Sequence, residues 1–290
     1  MDITLALSGG GSRGVAHLGA LRVLEQQGFR IRALAGTSIG SIVGAFYVFG
    51  YPPDEIESIF ASVNLSRLLY GWPLVDGPSL LSVRGVSDFL QYHLGNRNFE
   101  DLNLPFAIVA VDLESRREII LKKGNVVDAI LGSIAVPGIF PPQHYPPYRL
   151  IDGGTLDPVP VSIARALSPS LPVVAVSLYT PLGQPSTPIN LQLPGPKALM
   201  EQIARLNITQ AFQIFAEAID IGQRQMTDMR LRMDKPDVLI SPDVGDIGLL
   251  DTVDVAQVAM QGELAALAAL PELKRIFSWQ ARLRRFRQRR

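Results

Sequence analysis

The chain has 290 residues, 47% of them apolar, and no cysteine. It is long enough to bury one large core, and neither a disulfide framework nor a thiolate metal site is available to it, which fits a reducing compartment. Basic and acidic residues balance at 27 each, but eight of the basic ones and no acidic one fall in 274–290, so residues 1–273 carry a net charge of −8. An acidic body argues against an extended nucleic-acid footprint. Asp2, Arg13, Arg22 and Glu25 interrupt the apolar residues near the start, so no export signal is expected.

In chain order, residues 3–7 read as a strand, Gly9 to Gly11 as a turn, and the following residues as a helix with an apolar stripe of Leu18, Leu21, Val23 and Leu24. The stretch from Arg30 repeats the design of strand, glycine turn and helix. Two such units in succession predict an α/β fold with a mainly parallel sheet and helices on its faces. A rival reading makes 33–53 a membrane span, since it lacks charge and spaces Gly36, Gly40 and Gly44 four apart. Thr37, Ser38 and Ser41 oppose it. Further strands are expected at 106–112, 118–122, 148–152, 173–177 and 238–241, with mostly helical sequence between them. Residues 64–84 and 179–198 are rich in Gly and Pro and read either as surface loops or as lids bordering an apolar cleft.

Gly9-Gly10-Gly11-Ser12-Arg13-Gly14 satisfies G-x-G-x-x-G between a strand and a helix, the dinucleotide fingerprint. The acidic residue that should end the next strand is absent, because that strand ends in Ala35-Gly36-Thr37-Ser38. The loop is therefore expected to cradle some other negative charge, such as an oxyanion formed during a reaction. Arg13 either brings charge to that anion or braces the turn through carbonyls, and bracing is the favoured reading.

Gly36-Thr37-Ser38-Ile39-Gly40 is G-x-S-x-G at a strand–helix junction, where flanking glycines let the backbone turn sharply and expose a nucleophilic hydroxyl. Such a serine needs a base. His17 and His93 read as structural or solvated, and His144, in a proline-rich loop, stays open as an alternative. Asp152 is the better candidate, because it closes a short strand and precedes Gly153 and Gly154, which allow close approach of substrate or backbone. Reactive groups gather beyond the carboxyl ends of sheet strands, and the glycine loop, Ser38 and Asp152 all fall at such ends.

"GGGSRG", "GTSIG" and "DGG", in this order, resemble the patatin-like phospholipases, as do "SIAVPGIFPPQ" (133–143) and "VLISPDVGDIGLLD" (238–251). The resemblance covers roughly residues 3 to 265. It implies a three-layer α/β fold and acyl-ester hydrolysis of lipids by a Ser–Asp dyad, without a metal ion or other cofactor. Ser38 would be the nucleophile, Asp152 the base, and the backbone of Gly9, Gly10 and Gly11 the oxyanion hole. Arg13, Gly14, Gly36, Gly40, Gly153 and Gly154 would support them. A bulkier residue at Gly10 or Gly11 is expected to lower turnover far more than stability. The alternative is a non-catalytic regulator on the same fold.

The expected organisation is an acyl hydrolase domain over 1–270 and a basic tail over 271–290. The expected partner is a lipid or fatty-acyl ester, with no nucleic acid, and the expected location is cytoplasmic. In the tail, Ile276, Trp279, Leu283 and Phe286 share one helical face, opposite Arg282, Arg285 and Arg289. Two readings stand for it, docking on the domain or peripheral anchoring at an anionic membrane.

Overall fold

The computed structural model describes residues 1–63, 83–179 and 208–278. The sequence from Ala33 to Pro53 folds as a strand and a helix, not as a span. Strand β1 (Asp2–Leu7) leads through a 3₁₀ turn (Gly11–Val15) into helix α1 (Ala16–Gln26), and β2 (Arg30–Thr37) leads directly into α2 (Ile39–Val48). Next come α3 (Pro53–Ser62), α4 (Arg84–Leu94), β3 (Phe106–Asp112), β4 (Arg117–Leu121) and α5 (Val126–Ser133). A hairpin follows, β5 (Gln143–Tyr145) with β6 (Tyr148–Asp152), and then α6 (Val161–Leu167), β7 (Val173–Val176), α7 (Ile208–Asp234), β8 (Val238–Ile240) and α8 (Val255–Arg275). No described helix is long and apolar enough to cross a membrane.

The strands form one eight-stranded sheet in the order β5-β6-β3-β2-β1-β7-β8, with β4 also pairing β3. The pairs β1–β2, β1–β7, β2–β3 and β7–β8 are parallel, and the β3–β4, β3–β6 and β5–β6 pairs are antiparallel. Side chains alternate between two cores, as the period of a strand requires. Leu5, Leu7, Leu34, Ile108 and Val174 face α1, α2, α5 and α8, whereas Ala6, Ala35, Ala107 and Ala175 face α6. The result is the three-layer α/β architecture, and the alanines let the α6 layer lie close.

Helices α1 and α8 cross at near backbone contact. A Cβ on Gly19 would sit 1.9 Å from the carbonyl oxygen of Ala259, and one on Gly262 1.8 Å from that of Ala16. Helix α8 runs past residue 270, and Leu273 and Ile276 belong to the core, so the described part of the expected tail is continuous with the domain. The lid readings at 64–82 and 180–198 and the tail positions 279–290 lie outside the described residues.

The β3 register brings distant segments together. On one edge of β3, residues 108–112 pair with β4; on the other, β2 takes residues 106–109 and β6 takes 110–112. The two strands run in opposite directions, so their carboxyl ends meet head to head, with Thr37 opposite Val109 and Asp152 opposite Ala110. Three strand ends are expected at the site from sequence, and the structure adds that the one carrying Asp152 belongs to a strand antiparallel to β3.

Candidate active site

Ser38 occupies the turn between β2 and α2 with φ 53° and ψ −123°. A positive φ is uncommon outside glycine, and holding a non-glycine residue there costs roughly 1–3 kcal/mol. The close backbone approach permitted by Gly36 and Gly40 makes the turn possible: a Cβ at Gly40 would lie 2.4 Å from the carbonyl oxygen of Leu7, and one at Gly36 2.5 Å from that of Gly40. The carbonyl of Ser38 accepts from the Ser41 N–H (2.8 Å) and the Ser41 hydroxyl (2.5 Å).

The Ser38 hydroxyl donates to Asp152 Oδ2 at 2.6 Å, and Asp152 Oδ1 accepts from the N–H of Gly154 at 2.6 Å. Asp152 is 1% exposed. Burial pushes its carboxyl up to about 6, partly offset by the hydrogen bonds from Ser38 and Gly154. Gly153 packs over β3, where a Cβ would meet the Val109 carbonyl at 2.3 Å.

The glycine loop lies beside the pair. A Cβ on Gly9 would be 3.3 Å from the Cβ of Ser38. Of the three glycines expected from sequence as donors, Gly9 gives its N–H to Pro158 O (3.0 Å), whereas the N–H groups of Gly10 and Gly11 have no partner among the described residues. They stand at the start of the 3₁₀ turn, where free N–H groups favour negative charge. Gly11 has φ 58°, and a Cβ there would lie 2.0 Å from the carbonyl oxygen of Leu249, so this glycine also serves packing. Gly14 lets Ile39 approach, since its Cβ would lie 2.0 Å from Cγ1 of Ile39.

Arg13 is 1% exposed and donates through Nε to Ile247 O at 2.6 Å. This carbonyl belongs to the distant 244–251 segment, not to the turn itself. That segment also receives the Ser12 N–H at Leu249 O (2.9 Å).

No histidine is hydrogen-bonded to Ser38 or Asp152 among the described residues. His17 is buried under the loop with Nε2 2.9 Å from Ser8 O, and burial pulls it down to about 4. His93 packs among Phe46, Tyr51, Phe89 and Tyr92. His144 is exposed on β5, a strand and not the loop expected from its prolines, paired with Arg149.

Three nearby residues escaped the sequence reading. The Ser133 hydroxyl accepts the Ser38 N–H at 2.8 Å. Tyr179 donates to Gln223 Oε1 at 3.2 Å, and its hydroxyl lies 3.2 Å from where a Gly9 Cβ would stand. Burial first, and then the charge of Asp152, raise the Tyr179 phenol above its ordinary value. Ser133 sat in plain view within the "SIAVPGIFPPQ" run, whereas Tyr179 and Gln223 carry no local motif.

A cavity of about 580 Å³ reaches Ser38. Its walls are mainly apolar, with Ile42, Phe60, Val86, Phe89, Ile139 and Phe140, and Gly11 and Ser12 lie beside Ser38 in the lining. A lining of this kind suits a hydrocarbon chain near the hydroxyl.

The family model for the patatin-like phospholipases matches residues 5–165. An NTE family protein of Mycobacterium bovis is 33% identical over 179 residues, which is 61% of this chain and 49% of that protein. The lysophospholipase NTE1 of Mycosarcoma maydis is 32% identical over 178 residues, 58% of this chain and 9% of that protein. The chain thus spans about half the length of the first of these relatives and far less of the second. Among solved structures, VipD from Legionella pneumophila aligns over 93% of this chain and 66% of its own, with a TM-score of 0.51 and 12% identity, a likeness of fold. The family match covers more than half of the chain and includes the glycine loop, Ser38 and Asp152, and the chain belongs to the patatin-like phospholipase family.

Proposed function

We propose that the protein is a lipid acyl-ester hydrolase of phospholipase A or lysophospholipase type that works through a Ser38–Asp152 dyad. The observation that carries this reading is the 2.6 Å hydrogen bond from a strained serine, which lines an apolar cavity, to a buried carboxylate. The printed name of the Mycosarcoma maydis relative, a lysophospholipase, favours the same substrate class.

As Ser38 Oγ attacks the ester carbonyl, its proton passes to Asp152 Oδ2. The tetrahedral oxyanion is met by the N–H groups of Gly10 and Gly11, donors fixed before the charge develops. Collapse breaks the ester bond, and the departing alcohol takes the proton from Asp152. Water then attacks the acyl-enzyme, giving its proton to Asp152, and the second collapse returns that proton to Ser38 and releases the fatty acid. A carboxyl raised to about 6 is a stronger base than an ordinary aspartate yet still ionised at neutral pH. The route runs through side chains and backbone alone.

The test is hydrolysis of a short-chain acyl ester and of a lysophospholipid by the wild type, Ser38→Ala and Asp152→Asn. The reading predicts loss of turnover in both variants with the fold retained. Full activity in either variant would sink the dyad.

A further inference from the structure

We infer that Ser133 is a positioning residue for this site, pinning the backbone of Ser38 in its strained turn while the same segment fixes the backbone of Asp152. The inference rests on the dyad reading above.

A residue at φ 53° stays there only if its surroundings over-determine it. The carbonyl of Ser38 is held by Ser41 from within its own helix. The N–H of Ser38 is held by another element, through a side chain: Ser133 Oγ accepts it at 2.8 Å and donates its own proton to Val109 O at 2.6 Å. Both bonds consume the hydroxyl, which is fully buried. Val109 is the β3 residue opposite Thr37, beside the point where β2 and β6 meet. The bridge therefore ties the start of the elbow to the strand that aligns both partners.

Two residues further on, the carbonyl of Ala135 accepts the N–H of Asp152 at 2.9 Å. One short stretch at the end of α5 thus touches the main chain of both dyad members, which belong to separate strands. The separation of Ser38 Oγ from Asp152 Oδ2 depends on those two anchors, and the N–H anchor is a side chain that substitution can remove without disturbing the backbone bond at Ala135. Without the hydroxyl, a buried N–H loses its partner and Ser38 can relax toward ordinary helical angles, which turns its hydroxyl away from the carboxylate.

The experiment compares Ser133→Ala, Ser133→Thr and Ser38→Ala in steady-state ester hydrolysis, alongside melting temperature. Misplacing a reacting group by about 1 Å costs on the order of 100-fold. Ser133→Ala should therefore fold, keep KM, and lose about 10- to 100-fold in kcat, with Ser133→Thr, which restores the hydroxyl, recovering most of it. If Ser38→Ala keeps activity, the dyad reading fails first. If Ser38→Ala is dead but Ser133→Ala matches the wild type in kcat, only the positioning role is overturned. It is overturned equally if a folded Thr variant is as slow as the Ala variant, or if Ser133→Ala does not fold, since the hydroxyl would then serve the fold and not the site.

Discussion

Thr37 and Asp152 end two strands that approach each other head-on along the same edge of β3, pairing with the adjacent residues Val109 and Ala110. Ser38, the next residue after Thr37, therefore reaches a carboxylate 114 positions away in the chain without either side chain leaving its own strand end. The parallel strand supplies the elbow and the antiparallel strand the acid.

Because Asp152 must be ionised to accept a proton, kcat/KM should rise with pH through about 6 and then level off. The sign follows from burial, which disfavours the charged form and moves the limb upward from the ordinary aspartate range. Asp152→Asn should lower kcat on the order of 10⁴-fold, as removal of a member of a catalytic unit does elsewhere. A wild-type profile that stays flat from about pH 4 to 8 would remove Asp152 from the role of base.

Gly10 and Gly11 should both resist substitution, for different reasons. At Gly10 the strain lies in φ 148°, with a new Cβ 3.0–3.1 Å from the side chain of Leu178; at Gly11, φ 58°, the Cβ overlaps the Leu249 carbonyl at 2.0 Å. Gly10→Ala, strained by its positive φ, and Gly11→Ala, which overlaps a carbonyl, should each lower melting temperature as well as kcat. This revises the sequence expectation that either substitution spares stability. Unchanged kcat in a folded Gly10→Ala would mean that the loop needs no bare backbone at this position.

Much of the site was legible because its signals are local. Glycines at fixed offsets, a serine between them, and an aspartate before two glycines are each written within a few residues, and seven of the eight strands follow from short apolar runs. What escaped depends on pairing between distant segments. The prolines at 141, 142, 146 and 147 hid β5, although Gln143–Tyr145 fit between them as an edge strand. The head-on meeting of β2 and β6 is a matter of register on β3, on which hydrophobic periodicity is silent. Ser133 matters only because α5 ends beside Val109.

Asp157 is fully buried, with Arg230 Nε 3.8 Å from its Oδ1. Burial pushes it from 3.8 to about 8, with Arg230 opposing and Glu118 and Asp234 adding to the rise. A carboxyl raised on folding contributes stability that is full below its unfolded value and lost as pH climbs through its folded value. The wild type should therefore lose melting temperature between about pH 4 and 8, and Asp157→Asn should flatten that slope. Equal slopes in the two proteins would contradict the raised carboxyl.

Single replacement of His93 and His144 should leave turnover intact, since neither touches the dyad. His17→Ala should lower melting temperature before turnover, as the ring fills a buried space against Ser8. A collapse of kcat at His144 in a folded protein would restore the triad alternative.

The basic residues beyond Ser278 offer a test of membrane contact. Because Leu273 and Ile276 are core residues, the informative truncation ends at Ser278. Six arginines are then removed, each contributing about 1 kcal/mol near an anionic surface. Co-sedimentation with anionic vesicles should fall on truncation and with added salt. Undiminished binding would exclude the tail as an anchor.

The central claim is that Ser38 is activated by Asp152, and reaction with a fluorophosphonate probe followed by peptide mass mapping tests it most directly. The account predicts a single adduct on Ser38, forming more slowly as pH falls below about 6, absent in Ser38→Ala and strongly slowed in Asp152→Asn. An adduct on another serine, or a Ser38 that labels equally fast without the Asp152 carboxylate, would contradict it.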